Sequence, residues 1–363
     1  MSQSLKPLVT TILVTAVWSV CLLLSGMSAA QALPQGNAIT DPKALLRNSL
    51  PINNPTVRKL QATIEDISTQ LRANRRWGAV QSDLSRAERL LNDKAADLLA
   101  TVPDDRQPQA EALITDMKAS VTTMLAGLEA KNKQTTSDQR SALLDQIGKL
   151  EILMAQGFPY EVPGDYANLP QLKGRATIQF KTSQGDLTAI VDGYSAPVTA
   201  GNFVDLVQRG FYNGLPFIRA EDFYVLQTGD PDGPEQGFID PKTQQYRAVP
   251  LEILVKGDKE PTYGITLEDA GRYLDQPMLP FSAYGAMAMA RPNDEPNGGS
   301  SQFFFFLFEP ELTPAGLNLL DGRYAIFGYV TEGANILRSL KAGDKILSAQ
   351  VVAGAENLVT PRT

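Results

Sequence analysis

The hydrophobic positions along the chain fall into two textures. From residue 41 to 155 apolar side chains recur every three or four positions, the period of one helix face. Val57, Leu60, Ile64, Ile67 and Leu71 form a first stripe, and Val80, Leu84, Leu91, Ala95 and Leu98 a second, stopped by Pro103. Ala110, Leu113, Met117, Val121, Met124 and Leu128 form a third, and Leu143, Ile147, Leu150 and Met154 a fourth. The spacing predicts four long amphipathic helices, preceded by a short one from Pro42 to Leu50. Asn54 is placed to cap the first long helix, with Pro55 at its first helical position. Thr136 and Gln139 read as a capping box for the fourth. Four such helices with short connections bury their stripes best as an antiparallel bundle.

Between Gln156 and Gln171 the period is lost and Gly157, Pro159, Pro163, Gly164 and Pro170 accumulate, which predicts a linker. After Lys173 apolar residues alternate singly. Ala176–Phe180 and Leu187–Val191 flank the turn Ser183-Gln184-Gly185-Asp186 as a hairpin, and Pro197–Arg209 reads as a helix. Further strands are expected at Phe223–Gln227, Ala286–Ala290, Gln302–Phe308 and Ala325–Val330. The fold class is therefore α + β and multidomain. An N-terminal four-helix bundle (33–155) and a linker (156–171) precede a closed antiparallel β-barrel capped by helices (172–363).

Residues 1–32 read as a secretory leader. Lys6 gives a positive start, Leu8 to Leu24 is an apolar run, and Ala30-Gln31-Ala32 is a cleavage site. An uncleaved anchor is the alternative, at the short limit for a span. Cleavage removes Cys21 and Trp18, leaves no thiol, and leaves no stable membrane span. Without a twin-Arg pair, the general secretory route is favoured.

Composition narrows the chemistry. The chain has 363 residues, no histidine and one cysteine. That excludes Ser-His-Asp and Cys-His catalysis, His-ligated metals and an imidazole pH switch. No metal and no organic cofactor is implied. A net charge of −7 argues against nucleic acid as partner. Arg72, Arg75, Arg76, Arg86 and Arg89 cluster near the first turn between helices, as a solvated face or a surface for an acidic partner.

Four segments in the second half form an ordered set. Phe211-Tyr212-Asn213-Gly214-Leu215-Pro216-Phe217-Ile218-Arg219 is followed by Gln227-Thr228-Gly229-Asp230. Met289-Ala290 with Asn297-Gly298-Gly299-Ser300-Ser301-Gln302-Phe303-Phe304 comes next, then Leu320-Asp321-Gly322-Arg323-Tyr324-Ala325-Ile326-Phe327-Gly328. Over residues 172–363 these resemble the successive signatures of cyclophilins, the cyclosporin-binding peptidyl-prolyl cis-trans isomerases. The chemistry needs no histidine. Rotation about an X-Pro bond faces roughly 18–20 kcal/mol because the C–N bond is partly double. A donor that bonds the proline nitrogen only in the twisted state lowers that barrier selectively. A fixed guanidinium, always charged, suits the task.

The resemblance implies Arg219 as the catalytic arginine, a surface ion pair being the plain alternative. It implies Phe304 as floor of the proline pocket, with Gln227 and Gln302 holding the substrate backbone and Ala290 beside it. Substrate contacts also fall on positions that depart from the family: Tyr224 for Phe, Val225 for Met, Arg291 for Asn, Leu319 for Trp, and Tyr324 for His, next to Leu320. Leu319 implies weak sensitivity to cyclosporin. Glu221 and Asp222 put carboxylates near Arg219, where a salt bridge would hold or divert it. An excursion from Leu251 to Tyr284 reads as an added strand and helix near the groove, and Glu309–Asn318 as a second insertion.

Leader, helical domain, linker and divergent cyclophilin together resemble the multidomain thylakoid-lumen cyclophilins of cyanobacteria and plants. That likeness implies a thylakoid-lumen location, with the periplasm as alternative. It also implies proline-containing clients, including photosystem II subunits. An active isomerase is the first reading, and a peptide-binding assembly chaperone with little or no turnover the second. A bundle that covers the groove would gate access.

Overall fold

The computed structural model describes residues 39–72, 76–234, 236–308 and 318–361. The leader, Arg75 and nearly all of the Glu309–Asn318 insertion lie outside the described residues. Among those described, no helix is long and apolar enough to cross a membrane.

Helix α1 (Pro42–Ser49) starts at Asp41, whose side chain accepts the Lys43 N–H at 2.9 Å. Asn54 caps α2 (Pro55–Arg72) as expected, its Oδ1 accepting from Thr56 and Val57. The second stripe breaks at Lys94 into α3 (Trp77–Asp93) and α4 (Ala95–Leu99). Then follow α5 (Gln107–Gly127) and α6 (Lys133–Met154), with short 3-10 turns before and after α5. The capping box at Thr136 is not formed. Asn132 caps α6 by accepting the Thr135 N–H, and Thr136 lies inside the first turn, bonded to the Asn132 carbonyl. The expected short helix and four long ones become six helices and two 3-10 turns among the described residues, because the second long helix breaks at Lys94. α2 packs on α3 and α6, and α5 on both as well. Val57, Leu60, Ile64, Ile67, Leu84, Met117, Val121 and Ile147 form their shared core, all fully buried. The third stripe is rotated slightly, burying Ile114 where Leu113 was expected.

The second half is a curled antiparallel sheet of eight strands. They are β2 (Arg175–Thr182), β3 (Gly185–Asp192), β4 (Phe217–Glu221), β5 (Val225–Thr228), β8 (Ala286–Met289), β9 (Phe303–Phe306), β10 (Ile326–Glu332) and β11 (Ile346–Ala353). Their order is β11-β2-β3-β10-β8-β9-β5-β4. The sheet curls so that its two edges approach at one end, where Pro216 bridges Lys345, the Gly214 and Ile346 N–H groups donate to the Ile346 and Leu215 carbonyls, and the Phe217 and Gly343 N–H groups donate to the Asp344 and Phe217 carbonyls. The short ladders β1 (Gln171–Leu172) with β12 (Leu358–Val359) and β6 (Glu252–Ile253) with β7 (Thr262–Tyr263) stand apart.

Strand alternation gives the sheet two apolar faces. Ile178, Phe180, Met287, Phe303, Phe305 and Phe327 face inward onto α7 (Pro197–Gln208), where the Phe203 ring meets Phe303 edge-on at 5.1 Å. Val225, Phe304, Phe306, Ala286, Ala288 and Ile326 face outward. Leu279 and Phe281 from the excursion, and Leu45 and Leu46 from α1, join that outer cluster.

Helix α1 thus belongs to the sheet by packing, while its charges reach the other helices. Lys43 pairs with Asp145 at 3.2 Å and Arg47 with Glu65 at 3.1 Å. The turn-rich stretch is also packed: Tyr160 donates to the Tyr194 carbonyl at 2.9 Å, and Tyr166 meets Tyr263 at 5.3 Å. Buried Asp192 ties α1 down. It accepts from Arg175 Nε at 2.7 Å, Ser195 Oγ at 2.7 Å and Ser49 Oγ at 3.1 Å, while Arg175 donates to the Leu46 carbonyl. Removing one side of such a buried pair leaves the other charge uncompensated. Asp192→Ala is expected to lower unfolding free energy in urea by about 3–5 kcal/mol. A loss under about 1 kcal/mol, typical of exposed pairs, would contradict this account.

Candidate functional site

The strand register assembles a row across the outer face. Arg219 stands opposite Gln227, Gln227 opposite Phe304, Phe304 opposite Ala288, and Ala288 opposite Ile326. Side chains directly opposite on antiparallel strands lie within about 5 Å at Cβ, so the row is contiguous. It carries a cation, an amide and an aromatic ring in sequence. The next row is Glu221, Val225, Phe306, Ala286 and Tyr329.

The amides form a chain. Gln227 Nε2 donates to Gln302 Oε1 at 2.7 Å, and Gln302 Nε2 donates to Asp230 Oδ1 at 2.8 Å and the Gln236 carbonyl at 2.9 Å. Gly229 makes this approach possible. Its φ is +93°, and a Cβ there would collide with the Ser301 carbonyl. Gln227, Gln302, Ala290 and Arg291, with Tyr246 and Gln236, line a cavity of about 280 Å³. Arg291 is fixed at its rim by bonds to the Arg323, Pro292 and Asn293 carbonyls, with its guanidinium 5.2 Å from the Tyr324 ring centre. Burial pulls the Arg291 pKa below its ordinary value.

Phe304 is only 6% exposed. Tyr324 meets it edge-on at 5.4 Å, and Phe281 lies parallel to it at 6.0 Å. Val225 is buried in the same outer cluster at 4% exposure. Leu319 stands out at 90% exposure, and Leu320 is half-buried. Tyr224 is partly exposed, its ring edge-on to Phe306 at 6.3 Å. Arg219, Gln227, Ala290, Arg291, Gln302, Phe304 and Tyr324 are therefore brought together, Val225 is as buried as Phe304 in the same outer cluster, and Leu319 is exposed.

Arg219 is held. Its Nε donates to Glu221 Oε1 at 2.7 Å, its Nη2 lies 2.7 Å from the same oxygen, and Tyr224 lies beneath at 6.0 Å. The hydrogen bond it donates to Glu221 pushes the guanidinium pKa further above its ordinary range. Residues two apart on a strand share a face, so this contact was readable in Arg219-Ala220-Glu221.

The excursion departs from expectation. It forms the β6–β7 hairpin and a run of turns, with no helix. Two buried carboxylates anchor this part of the molecule, and neither stood out in the sequence because burial has no local signature. Asp321 accepts the Phe281 N–H at 2.7 Å and the Asn318 N–H at 3.3 Å, and burial pushes its pKa up to about 6. Glu252 accepts the N–H groups of Val198 at 3.3 Å and Thr199 at 2.5 Å at the start of α7. Burial pushes its pKa up to about 7.

Residues 41–155 match the family model described as peptidyl-prolyl cis-trans isomerase CYP38-like, PsbQ-like domain. Residues 177–355 match cyclophilin type peptidyl-prolyl cis-trans isomerase/CLD. A protein named as a thylakoid lumen peptidyl-prolyl cis-trans isomerase in Synechocystis sp. is 60% identical over 90% of this chain and 86% of its own length. The chloroplastic peptidyl-prolyl cis-trans isomerase CYP38 of Arabidopsis thaliana is 44% identical over 91% of this chain and 77% of its own. Its chloroplastic relative CYP37 is 31% identical over 99% and 81%.

The raised pKa of Glu252 has a sign. Its carboxyl holds its proton more tightly when folded than at the ordinary value of 4.5. The stability this supplies is complete below about pH 4.5 and is lost as pH rises to about 7. Glu151, raised to about 7 by burial despite its pair with Arg58, acts in the same direction. Glu252→Gln is expected to flatten the fall in urea stability between pH 5 and 7 by roughly 2–3 kcal/mol relative to wild type. Parallel pH profiles for the two proteins would refute this assignment.

Proposed function

This chain belongs to the cyclophilin-type peptidyl-prolyl cis-trans isomerases that carry a PsbQ-like helical region, and within that activity we propose that Arg219 supplies the catalytic donor. The observation that supports this is the row Arg219–Gln227–Phe304 across three adjacent strands. A proline ring against Phe304 and Tyr324 sets its nitrogen beside the cation. The Gln227 and Gln302 amides, with Ala290, hold the flanking backbone. As the C–N bond twists, the nitrogen regains its lone pair and accepts from the guanidinium, so the interaction is strongest in the twisted state. Proline-containing polypeptide segments are the substrates.

The leader carries the protein by the general secretory route to the thylakoid lumen, the compartment in the name of the Synechocystis relative. The helical region within 33–155 docks on photosystem II components, joined by 156–171 to the isomerase domain at 172–363. The PsbQ-like match supports that division of labour. A second reading, a peptide-binding assembly chaperone with weak turnover, draws on two features. Glu221 occupies Arg219, and Phe304 is largely covered.

A protease-free isomerisation assay on a proline tetrapeptide tests the first reading. Arg219→Ala is expected to lower kcat/KM roughly a hundredfold, the scale for losing one preorganised donor. Undiminished turnover in that variant would exclude Arg219 as the donor. Equal rates for the whole protein and for residues 171–363 alone would exclude gating by the helices.

A further inference from the structure

The Phe304 ring is held by two others, Tyr324 edge-on at 5.4 Å and Phe281 parallel at 6.0 Å. Phe281 belongs to the excursion and Tyr324 to the turn 318–324, so Phe304 depends on two segments distant in the chain. One carboxylate ties those segments together. Asp321 Oδ1 accepts the Phe281 N–H at 2.7 Å, and its Oδ2 accepts the Asn318 N–H at 3.3 Å. Asn318 strengthens the link. Its Nδ2 donates to the Phe281 carbonyl at 3.5 Å, and its Oδ1 accepts the Leu320 N–H at 2.9 Å. The Leu267 N–H of the excursion also donates to the Gly322 carbonyl at 3.0 Å. Asp321 does not line the groove cavity beside Gln227 and Gln302, so any effect on a peptide passes through the rings.

We infer that Asp321 is a positioning residue for the isomerase site: its two backbone bonds set Phe281 and the Leu320–Tyr324 wall against Phe304, and so fix the shape of the proline pocket. The inference rests on the reading of Phe304 and Tyr324 as that pocket. An ionised carboxylate accepts both N–H groups, whereas a protonated one turns an oxygen into a donor that faces an N–H. Burial pushes the Asp321 pKa up to about 6. The doubly accepting form therefore prevails above that value and is lost as pH falls through it. The groups that face Asp321 are Lys256 of the excursion, held by Gln276 at 3.1 Å, and Tyr329 of β10. Glu252 and Tyr324 line a small cavity with it.

The test uses the whole protein and the tetrapeptide Ala-Ala-Pro-Phe, with affinity read by NMR titration, which needs no turnover. Wild type is expected to bind roughly three- to tenfold more weakly at about pH 5 than at about pH 7.5, the scale of one hydrogen bond. Asp321→Asn keeps the shape and loses one acceptor. It should bind weakly throughout, with a flat pH profile. Glu252→Gln removes the other carboxyl at the small cavity and should leave the profile standing. Phe281→Leu should weaken binding, and adding Asp321→Asn to it should cost little more, because both act through one contact. In wild type the Phe281 N–H and Tyr324 ring signals should titrate together with a midpoint of about 6. That measurement needs no variant and decides the matter if Asp321→Asn does not fold. A carboxylate that only stabilised the fold would shift the unfolding midpoint and leave the folded protein's affinity profile alone. An unchanged profile in Asp321→Asn, or Phe281 and Tyr324 signals that do not titrate together, overturns the inference and leaves the pocket reading standing. A wild type that binds no proline peptide at any pH overturns the pocket reading, and the inference falls with it.

Discussion

Four consecutive phenylalanines on β9 hold both halves of the isomerase domain's architecture. Phe303 and Phe305 enter the interior, where Phe203, Tyr212, Phe180 and Phe327 close around them. Phe304 and Phe306 turn to the outer face with Phe281 and Tyr324. All four are buried, so the strand has no solvent side. A register slip of one residue would exchange the two pairs and carry Phe304 off the row that begins at Arg219. The glycine at 229 and the bond from Tyr212 Oη to the Ser301 carbonyl pin the approach of the strands at one end. Core packing and site geometry are consequently one constraint.

What the sequence revealed follows from the range of the interactions involved. The helical stripes were legible because burial on one face repeats every turn, and Val57 through Met154 fell almost where the period put them. The caps were harder. Asn132 and Thr136 are both competent cap residues, and the choice depends on where the chain leaves its extended conformation, a matter of the preceding turn. The helix expected in the excursion failed because Leu267 and Leu279 pack into two separate tertiary clusters, not along a local period. At the site, motif residues came together through register. The burial of Val225, the exposure of Leu319, and the anchoring by Glu252 and Asp321 depend on partners distant in the chain.

The polar part of the groove is ordered before any substrate arrives. Gln227, Gln302 and Asp230 already satisfy one another in a chain of amide and carboxylate bonds. Arg219 is satisfied by Glu221, and Arg291 by three backbone carbonyls. If these groups hold the peptide as proposed, it exchanges with existing partners at each point, and affinity reflects the difference between old and new contacts. Selectivity among peptides is set by which of these exchanges balances best.

The absence of histidine excluded the usual group that titrates near neutrality, yet the fold makes substitutes from ordinary carboxylates. Glu151, Glu252 and Asp321 are drawn by burial to about 7, 7 and 6. In the unfolded chain each ionises near pH 4, so around pH 5–6 folding takes up protons from the solvent. The heat of folding in that range carries the ionisation heat of whatever buffer donates those protons. The folded protein is therefore itself a weak proton store, one that fills as its surroundings acidify.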